Sequence, residues 1–367
     1  MTTLDTLFAD YGQSPWLDDV GADTLGGATL SHLVTRGVRG VVVTVPAITR
    51  SLAGASCDDE IGRSHVRDLE RLYEEVLARV ARDACDVLSG VYHESRQEFL
   101  AGSRRHCDGF VSLAMSPRFV HDSAAIVEGA TRLRDAVARE NVLVTVAATT
   151  EGLKAIPQLL AEGVGLNVTA VFSTARYLEV LSAWKSGMEL ALARGRDVSV
   201  VGCTTSTALA PVDVVIDSLL TIHDRRRGTA AVSLAAAIYE KYRSCFESRP
   251  GLALLDQGAQ VPRPTWTATA PTNAKYFDLL YVNYLAVRET VLAMSDVTLA
   301  QAFDHGDFTK TLLATKRTVR KTTFLMKDLP RGIVHARVAD KLERDFLAQD
   351  ALHYDEMLTA LLAKTGR

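Results

Sequence analysis

The sequence predicts an α/β protein, a closed (β/α)8 or TIM barrel, formed by a single domain over residues 1–367. Eight short β-rich runs alternate with longer stretches of helical periodicity, the order expected of parallel strands joined by crossover helices. Most of these runs are almost continuously apolar, as strands covered on both faces are. Because no repeat, linker or low-complexity tract divides the chain, we expect one domain.

The predicted strands are short and leave room for a helix after most of them. They cover residues 14–19, 39–46, 109–115, 141–147, 165–171, 197–204, 264–270 and 288–294. Between strands 3 and 4, apolar residues at positions 125, 126, 130, 133 and 137 lie on one helical face. Asp122 or Ser123 can cap the start of this helix. Residues 229–246 have the composition of a second strong helix.

Two segments are rich in helix but have no strand to pair with. We expect residues 60–98 to be a helical insertion after strand 2 and residues 308–367 to be a C-terminal helical cap. In such a barrel the active site lies at the C-terminal ends of the strands. The residues at those ends are Asp18, Asp19, Thr44, Val45, Ala114, Thr145, Asn167, Thr169, Cys203 to Ser206 and Ala268 to Thr272.

Composition argues against several classes of partner. The net charge is −3, and basic and acidic residues are interspersed, so we expect neither a nucleic-acid nor a membrane partner. The first residues do not resemble a secretory signal and no 18 apolar residues run together, which predicts a cytoplasmic protein. The five widely spaced cysteines and nine histidines show no zinc-ligand spacing, and we assign His121, His305 and His353 to the surface. No metal or other cofactor is predicted.

Three motifs connect the sequence to a known family: WLDD, GLNVTAVFSTARYLEVLSAWKSG and PTWTATAPTNAKYFDLLYV. From residue 14 to about residue 305 the chain resembles actinobacterial-type transaldolases in the order and spacing of its segments. Residues 111–122 and 161–173 match the family's third and fifth strands, and residues 279–287 match the region before strand eight. The resemblance implies a transaldolase-like TIM barrel.

In the family that the sequence resembles, strand 4 carries a lysine. In the family this lysine forms a Schiff base with a ketose phosphate, and a three-carbon unit then passes to an aldose. The amine has to be partly neutral, because only a free amine attacks a carbonyl. The family's strand reads roughly NLFIKIPATEAGL, whereas this chain reads NVLVTVAATTEGL and has Thr145 at the lysine position. A threonine cannot form an imine, so the sequence predicts that Schiff-base chemistry is lost.

Further positions depart from the family pattern, and each has lost polarity or charge. Ala114 replaces a proton-relay glutamate, Val45 a substrate-binding asparagine, Pro211 a phosphate-binding arginine, Ala268 a serine and Thr272 a lysine. Without its bidentate arginine, a sugar phosphate would be held poorly. We interpret the changes as repurposing, because random decay would also have spread into the core.

Some polar residues of the family pattern are retained. Asp18 occupies the strand-1 acid/base position, and Asn167, Thr169, Ser173 and Ser206 are also present. In a drier site the pKa of Asp18 should rise, so that its carboxyl can act as a general acid or base near neutral pH. The alternative is structural: Asp18 or the aspartate after it caps a helix beginning near residue 22, and the other side chains satisfy backbone groups.

Four other side chains could contribute chemistry. Cys203, placed near the end of strand 6, is either a nucleophile facing the cavity or a small core residue. Lys154 and Lys185 should lie solvated on the outer helices. Lys275, in the loop after strand 7, could reach the mouth of the barrel and take over the Schiff base.

These observations favour an enzyme without a lysine Schiff base, of lyase, transferase or isomerase type. It would use acid/base catalysis for C–C bond formation, cleavage, cyclisation or rearrangement of an apolar carbonyl-bearing small molecule in bacterial specialised metabolism. The proposed acid/base is Asp18, and the proposed substrate-binding residues are Thr145, Asn167, Thr169, Ser206, Thr44 and Cys203. The alternatives are a non-catalytic pseudo-transaldolase serving as scaffold or partner subunit, and residual aldolase activity through another lysine. A homo-oligomer or a complex with a partner enzyme stays open.

Overall fold

The eight strands form a closed barrel in which every strand is parallel to its neighbours, in the order β1 to β8. The computed structural model describes residues 3–25, 29–247, 252–313 and 335–366. The strands are β1 Ser14–Val20, β2 Val41–Val43, β3 Val111–Ala114, β4 Val142–Ala147, β5 Leu166–Thr169, β6 Cys203–Ala208, β7 Arg263–Thr267 and β8 Val291–Met294. The predicted (β/α)8 architecture is therefore confirmed.

Helices surround the barrel and connect its strands. They are α1 Thr3–Tyr11, α2 Ala22–Leu25, α3 Thr29–Thr35, α4 Val45–Ala53, α5 Asp58–Arg63, α6 Leu69–Leu100, α7 Ser123–Val137, α8 Thr150–Ala161, α9 Thr174–Ala193, α10 Ala210–Ser218, α11 Ala230–Phe246, α12 Leu280–Tyr284, α13 Asp296–His305 and α14 His335–Thr365. Short 3-10 turns lie at Pro117–Phe119, Val198–Val200 and Phe308–Lys310.

Local capping explains several of these boundaries. The Asp122 carboxylate accepts hydrogen bonds from the amides of Ala124 and Ala125 at the start of α7, as the sequence predicts. At the start of α8, the Thr149 hydroxyl accepts one from the Gly152 amide at 3.0 Å. Caps of this kind satisfy amides that have no partner within the helix.

Strand 6 begins later than predicted. The apolar run from residue 197 is not extended but contains the 3-10 turn Val198–Val200, for which the Asp197 carboxylate caps the Ser199 amide. The strand itself starts at Cys203 and continues to Ala208 through polar residues. The run 197–204 looked like a strand because it is apolar, but its apolar side chains fill the base of the barrel instead.

The helical segment after strand 2 is part of the ring and is not an addition to it. Residues 60–98 were predicted as an insertion, and helix is indeed present there as α5 and α6. However, α6 packs against β2, β3 and α7, so it occupies the place of the crossover helix between strands 2 and 3. Its length of 32 residues disguised this role.

The N-terminal end of the barrel is held by a buried ionic network around Asp108. Its carboxylate accepts hydrogen bonds from Ser14 at 2.7 Å, Arg263 at 2.8 Å and Arg39 at 3.1 Å. Burial alone would raise the pKa of Asp108, but the guanidinium groups of Arg263 and Arg39 hold it well below its usual range. Because Ser14 opens β1 and Arg263 opens β7, the network ties together the starts of separate strands.

The opposite end of the barrel is covered by α14, hereafter the C-terminal helix, which confirms the predicted cap. This helix packs against α4, α6 and α10. Its Glu343 pairs with Arg176 on α9 at 3.2 Å, and its Asp355 pairs with Arg118 at 3.3 Å. Residues 314–334 of the predicted C-terminal segment lie outside the described residues.

Candidate active site

A cavity of about 350 Å³ lies at the C-terminal ends of the strands, beneath the C-terminal helix. Its wall is largely apolar, with valine, alanine and proline side chains from β2, β3, β4 and the turns that follow them. The polar residues that line it are Asp18, Asp19, Thr44, Ser116, Thr145, Asn167, Thr169, Ser206, Thr267, Asp350 and His353. The barrel therefore has a largely apolar chamber at the end where sequence analysis expects the site.

Asp18, near the end of β1, presents its carboxyl group to this cavity. Burial raises the pKa of Asp18 to about 6, and the hydrogen bond from the Asp19 amide, at 2.9 Å, opposes that rise. This is the direction expected from the sequence. A carboxyl with such a pKa can exchange a proton near neutral pH.

Asp19 has a different role from its neighbour. Its φ of 65° lies in the left-handed region, and its carboxylate binds the Thr44 hydroxyl at 2.5 Å and the Arg50 guanidinium at 2.7 Å. Thr44 also caps α4 by accepting a hydrogen bond from Ala47. Thr44 thus lines the cavity, as predicted, but its hydroxyl proton is donated to Asp19 and links the start of α4 to the end of β1.

Left-handed backbone recurs around the cavity. Ala170 after β5 and Ala268 after β7 have φ values of 59° and 49°, in addition to Asp19 near the end of β1. Side chains with a Cβ rarely adopt this conformation, and such residues concentrate at functional sites. All three line the cavity. The backbone that shapes this chamber is therefore under conformational strain at three strand ends.

Thr145 lies on β4, next to residues of both neighbouring strands. In register it is paired with Ala114 on β3 and Asn167 on β5. The Asn167 side-chain amide donates to Ser112 Oγ at 2.9 Å, and Ser112 Oγ lies 3.3 Å from Thr145 Oγ1. Either hydroxyl can be the donor in this last bond, and when Ser112 donates, the Thr145 proton is left to donate into the cavity.

The carbonyl oxygen of Asn167 is occupied on its other side. It accepts hydrogen bonds from Ser206 at 2.7 Å and from Thr204 at 3.0 Å, both on β6. Asn167 is therefore fixed by three barrel hydroxyls, which supports its structural role and limits its free donors to one amide proton. Thr169 lines the cavity from the end of β5, and its hydroxyl forms no hydrogen bond with the described residues.

Cys203 does not lie where the sequence analysis placed it. It is the first residue of β6, at the end of the strand remote from the mouth, and it is not among the cavity-lining residues. Burial raises the pKa of its thiol to about 12, which disfavours a thiolate. The prediction failed because strand 6 starts six residues later than the apolar run that suggested it.

Sequence analysis missed the contribution of the C-terminal helix. Phe346, Leu347, Asp350 and His353 recur at helical spacing and close the cavity from above. His353, which was assigned to the surface, lies in the cavity wall. Burial raises the pKa of Asp350 to about 6. No strand end marks these residues, and only the helical spacing of Phe346, Asp350 and His353 could have indicated a shared face.

Among the residues that the structure describes, neither a lysine nor an arginine lines the cavity. Lys154 and Lys185 are solvated on the outer helices beside Glu151 and Glu189, as predicted. Lys275 is exposed in the loop after β7 and lies outside the cavity wall. The expectation that it reaches the chamber is not met in this structure.

The positions that depart from the family pattern fall in two places. Val45, Ala114 and Ala268 line the cavity, so the chamber is more apolar at those points than the family pattern implies. Pro211 lies in the first turn of α10 and Thr272 in the loop after β7, both outside the cavity wall.

Two further properties concern the described part of the chain alone. In the ranges 3–25, 29–247, 252–313 and 335–366, no three His, Cys, Asp or Glu side chains are grouped so that they could hold a metal ion. None of the helices described there is long and apolar enough to cross a membrane.

Comparison with known proteins identifies the family of this chain. The family model for transaldolase/fructose-6-phosphate aldolase matches residues 16–361. Transaldolase 1 of Streptomyces coelicolor is 32% identical over 364 residues, covering 96% of this chain and 92% of the relative. The transaldolase of Neisseria gonorrhoeae is 32% identical over 365 residues, covering 99% and 100%. The transaldolase of Mycolicibacterium smegmatis is 34% identical over 322 residues, covering 85% and 84%. The chain belongs to the transaldolase/fructose-6-phosphate aldolase family.

Proposed function

We propose that this member of the family catalyses acid/base chemistry on an apolar carbonyl-bearing small molecule without forming a lysine Schiff base. The observation that carries the proposal is Asp18, a carboxyl with a pKa near 6 in a chamber whose described wall contains no lysine. The reaction would be a C–C bond formation, cleavage, cyclisation or rearrangement in bacterial specialised metabolism.

A hydrogen-bond chain in the same cavity as Asp18 suggests how the charge of an intermediate would be stabilised. Asn167 donates to Ser112, and Ser112 and Thr145 share a hydrogen bond. In the proposed arrangement Ser112 is the donor of that bond, and the Thr145 proton is directed to a ligand in the cavity. In the proposed step the Asp18 carboxylate removes a proton from the carbon next to the substrate carbonyl. The C–H electron pair forms the C=C bond of an enolate, and the enolate oxygen accepts the Thr145 proton in a hydrogen bond. Donors fixed in advance stabilise such charge efficiently.

The first experiment tests the absence of Schiff-base chemistry. The protein is incubated with dihydroxyacetone or fructose 6-phosphate and borohydride, and its intact mass is measured. We expect no change in mass, whereas Transaldolase 1 of Streptomyces coelicolor serves as the positive control. A covalent adduct on this chain would overturn the proposal and favour residual aldolase activity through another lysine, whose position peptide mapping would give.

A matched variant shows whether the barrel itself could still support an imine. Thr145→Lys places an amine on β4 at the position that the family resemblance assigns to the lysine. Trapping by borohydride in Thr145→Lys but not in the unsubstituted protein would attribute the difference to this side chain. Trapping in both would contradict the proposal.

The second experiment measures proton transfer directly. Cyclohexanone is incubated with the protein in D₂O, and loss of its α-proton signal is followed by NMR. We expect exchange above the buffer rate, and a decrease of at least about 100-fold in Asp18→Asn, since general acid–base catalysis contributes that much. Asp59→Asn, an exposed carboxylate remote from the cavity lining, is the control and should exchange like the unsubstituted protein.

The same measurement separates the enzyme from the non-catalytic alternative. If exchange in the unsubstituted protein equals that in Asp18→Asn, the acid/base assignment is wrong. Retained cavity binding of cyclohexanone without exchange would then favour the binding-scaffold alternative.

A further inference from the structure

Asp350 is an exception within the buried stripe of the C-terminal helix. Residues 342, 346, 350, 354, 357 and 361 follow one another at spacings of three or four, which places them on one helical face. Leu342, Tyr354, Met357 and Leu361 are all buried, and Phe346 packs edge-on against Phe172 at 5.9 Å. A carboxyl group in such an apolar stripe lowers stability unless it has a partner.

No described residue provides that partner. Asp350 receives no hydrogen bond and forms no ion pair with the side chains that the structure describes, His353 included. The other ionisable groups around it are the phenols of Tyr73 and Tyr354 and, in the same cavity wall, the carboxyls of Asp18 and Asp19. Asp19 is already paired with Arg50. The chamber thus contains carboxyl groups for which its described wall provides neither a lysine nor an arginine.

We propose that the substrate carries a protonated amino group and that Asp350 binds this group from the C-terminal helix. The inference rests on the proposed function, since it names the substrate class of the same cavity. An ammonium ion would supply the missing counter-charge, and the apolar wall would hold the rest of the molecule. A ligand phosphate would instead be repelled by the carboxylates.

The roles of the two carboxyls remain separate in this arrangement. Asp18 and Thr145 line the barrel wall of the cavity, whereas Asp350 belongs to the helix that covers the mouth. A bound amine at Asp350 would fix the position of the carbonyl relative to Asp18. Asp350 would therefore determine specificity and orientation, and Asp18 would transfer the proton.

Three probes of nearly the same shape test this assignment. Cyclohexylamine, cyclohexanol and cyclohexanecarboxylate share an apolar ring and differ in the charge of one substituent. Their dissociation constants are measured by ligand-observed NMR at about pH 7.5, above the pKa of Asp350. We expect the amine to bind at least about 10-fold more tightly than the alcohol, and the carboxylate to bind most weakly.

Variants of the same helix identify the residue responsible. In Asp350→Asn the preference for the amine over the alcohol should fall to within about 2-fold, with binding of the alcohol unchanged. Glu356→Gln makes the same change of charge at an exposed position of this helix and should retain the full preference. Asp18→Asn should also retain most of it.

Several outcomes would overturn the inference. These are equal binding of amine and alcohol, no binding of the amine, tightest binding of the carboxylate, or a preference that survives Asp350→Asn. A preference abolished by Asp18→Asn alone would assign the amine to the barrel wall instead. The proposed function is tested by exchange and borohydride trapping, so its failure is distinguishable from a failure of the amine-binding assignment.

Discussion

Asp18 and Asp19 are adjacent in sequence but have opposite surroundings. The left-handed backbone at Asp19 directs its carboxylate to Thr44 and Arg50, and this leaves Asp18 as the member of the pair without a cation. The same two side chains would be indistinguishable by residue type. Their different partners separate them into one structural carboxyl, Asp19, and one that we propose to be reactive, Asp18.

The pH dependence of α-proton exchange should report on Asp18. The carboxylate is the proposed base, and burial raises its pKa to about 6, so the exchange rate should rise with pH and reach a plateau above about pH 7. The midpoint is measured by NMR across buffers of constant ionic strength. A midpoint near the ordinary pKa of an aspartate, about 4, would contradict burial as the controlling factor.

Asp350 should lower the stability of the unliganded protein at neutral pH. Burial raises its folded-state pKa from 3.8 to about 6, so folding takes up a proton between these values. The stabilisation from that proton is complete below about pH 4 and is lost as the pH rises through about 6. Asp350→Asn should therefore raise the Tm by roughly 2–4 °C at about pH 7.5 and leave it unchanged near pH 4. A lower Tm at both pH values would indicate a structural role for Asp350.

At the level of residues, the sequence predicted the barrel-wall part of the site better than its cover. Asp18, Thr145, Asn167, Thr169 and Ser206 all line the cavity because their positions follow from strand periodicity. The three hydrogen bonds that hold the Asn167 side chain could not be predicted from the sequence, because Ser112, Thr204 and Ser206 lie on other strands. The roles of these five predicted residues in catalysis or substrate binding stay predictions.

The C-terminal helix is the element that sequence reasoning placed least well. Its helical character was predicted, but its inner face was not, because a 31-residue helix offers several faces and no strand end marks one of them. Strand 6 shows the converse difficulty. Its residues from Thr204 to Thr207 are polar, and Thr204 and Ser206 bind Asn167 of β5. The apolar run before them was therefore mistaken for the strand.

The ion pairs of Arg118 should control how tightly the C-terminal helix closes the mouth. This guanidinium binds Glu70 on α6 and, at 3.3 Å, Asp355 on the C-terminal helix. In Arg118→Ala we expect faster amide hydrogen exchange across residues 343–361, because exposed ion pairs contribute up to about 1 kcal/mol each. Arg344→Ala removes an exposed charge from the same helix and should leave exchange unchanged. Equal exchange in both variants would show that apolar packing alone holds the helix.

The two ends of the barrel differ in whether their buried carboxyl groups have charged partners. At the N-terminal end, Asp108 is surrounded by arginines and a hydroxyl that satisfy it. At the mouth, Asp18 and Asp350 have no such partners among the described residues. The first arrangement stabilises the fold, and the second leaves charge available for a ligand.

Asp108→Asn should destabilise the whole molecule strongly. The substitution leaves Arg263, which is 1% exposed, without its counter-charge, and removing one partner of a buried ion pair costs roughly 3–5 kcal/mol. Asp86→Asn is the control, because its pair with Arg139 at 2.6 Å is on the surface and should contribute less than about 1 kcal/mol. Urea denaturation followed by circular dichroism measures both. A similar loss in the two variants would mean that the network around Asp108 is not what holds the barrel base.

The position of the C-terminal helix has a consequence for how such a protein can evolve. Four cavity residues come from this single helix, which follows the whole barrel in the chain and takes no part in strand pairing. Substitutions at Phe346, Leu347, Asp350 or His353 can therefore reshape the chamber while the hydrogen-bonded sheet is left intact. Mutations at these positions can therefore change which ligand binds with little effect on folding. A laboratory library confined to these four codons should yield variants with new ligand preferences.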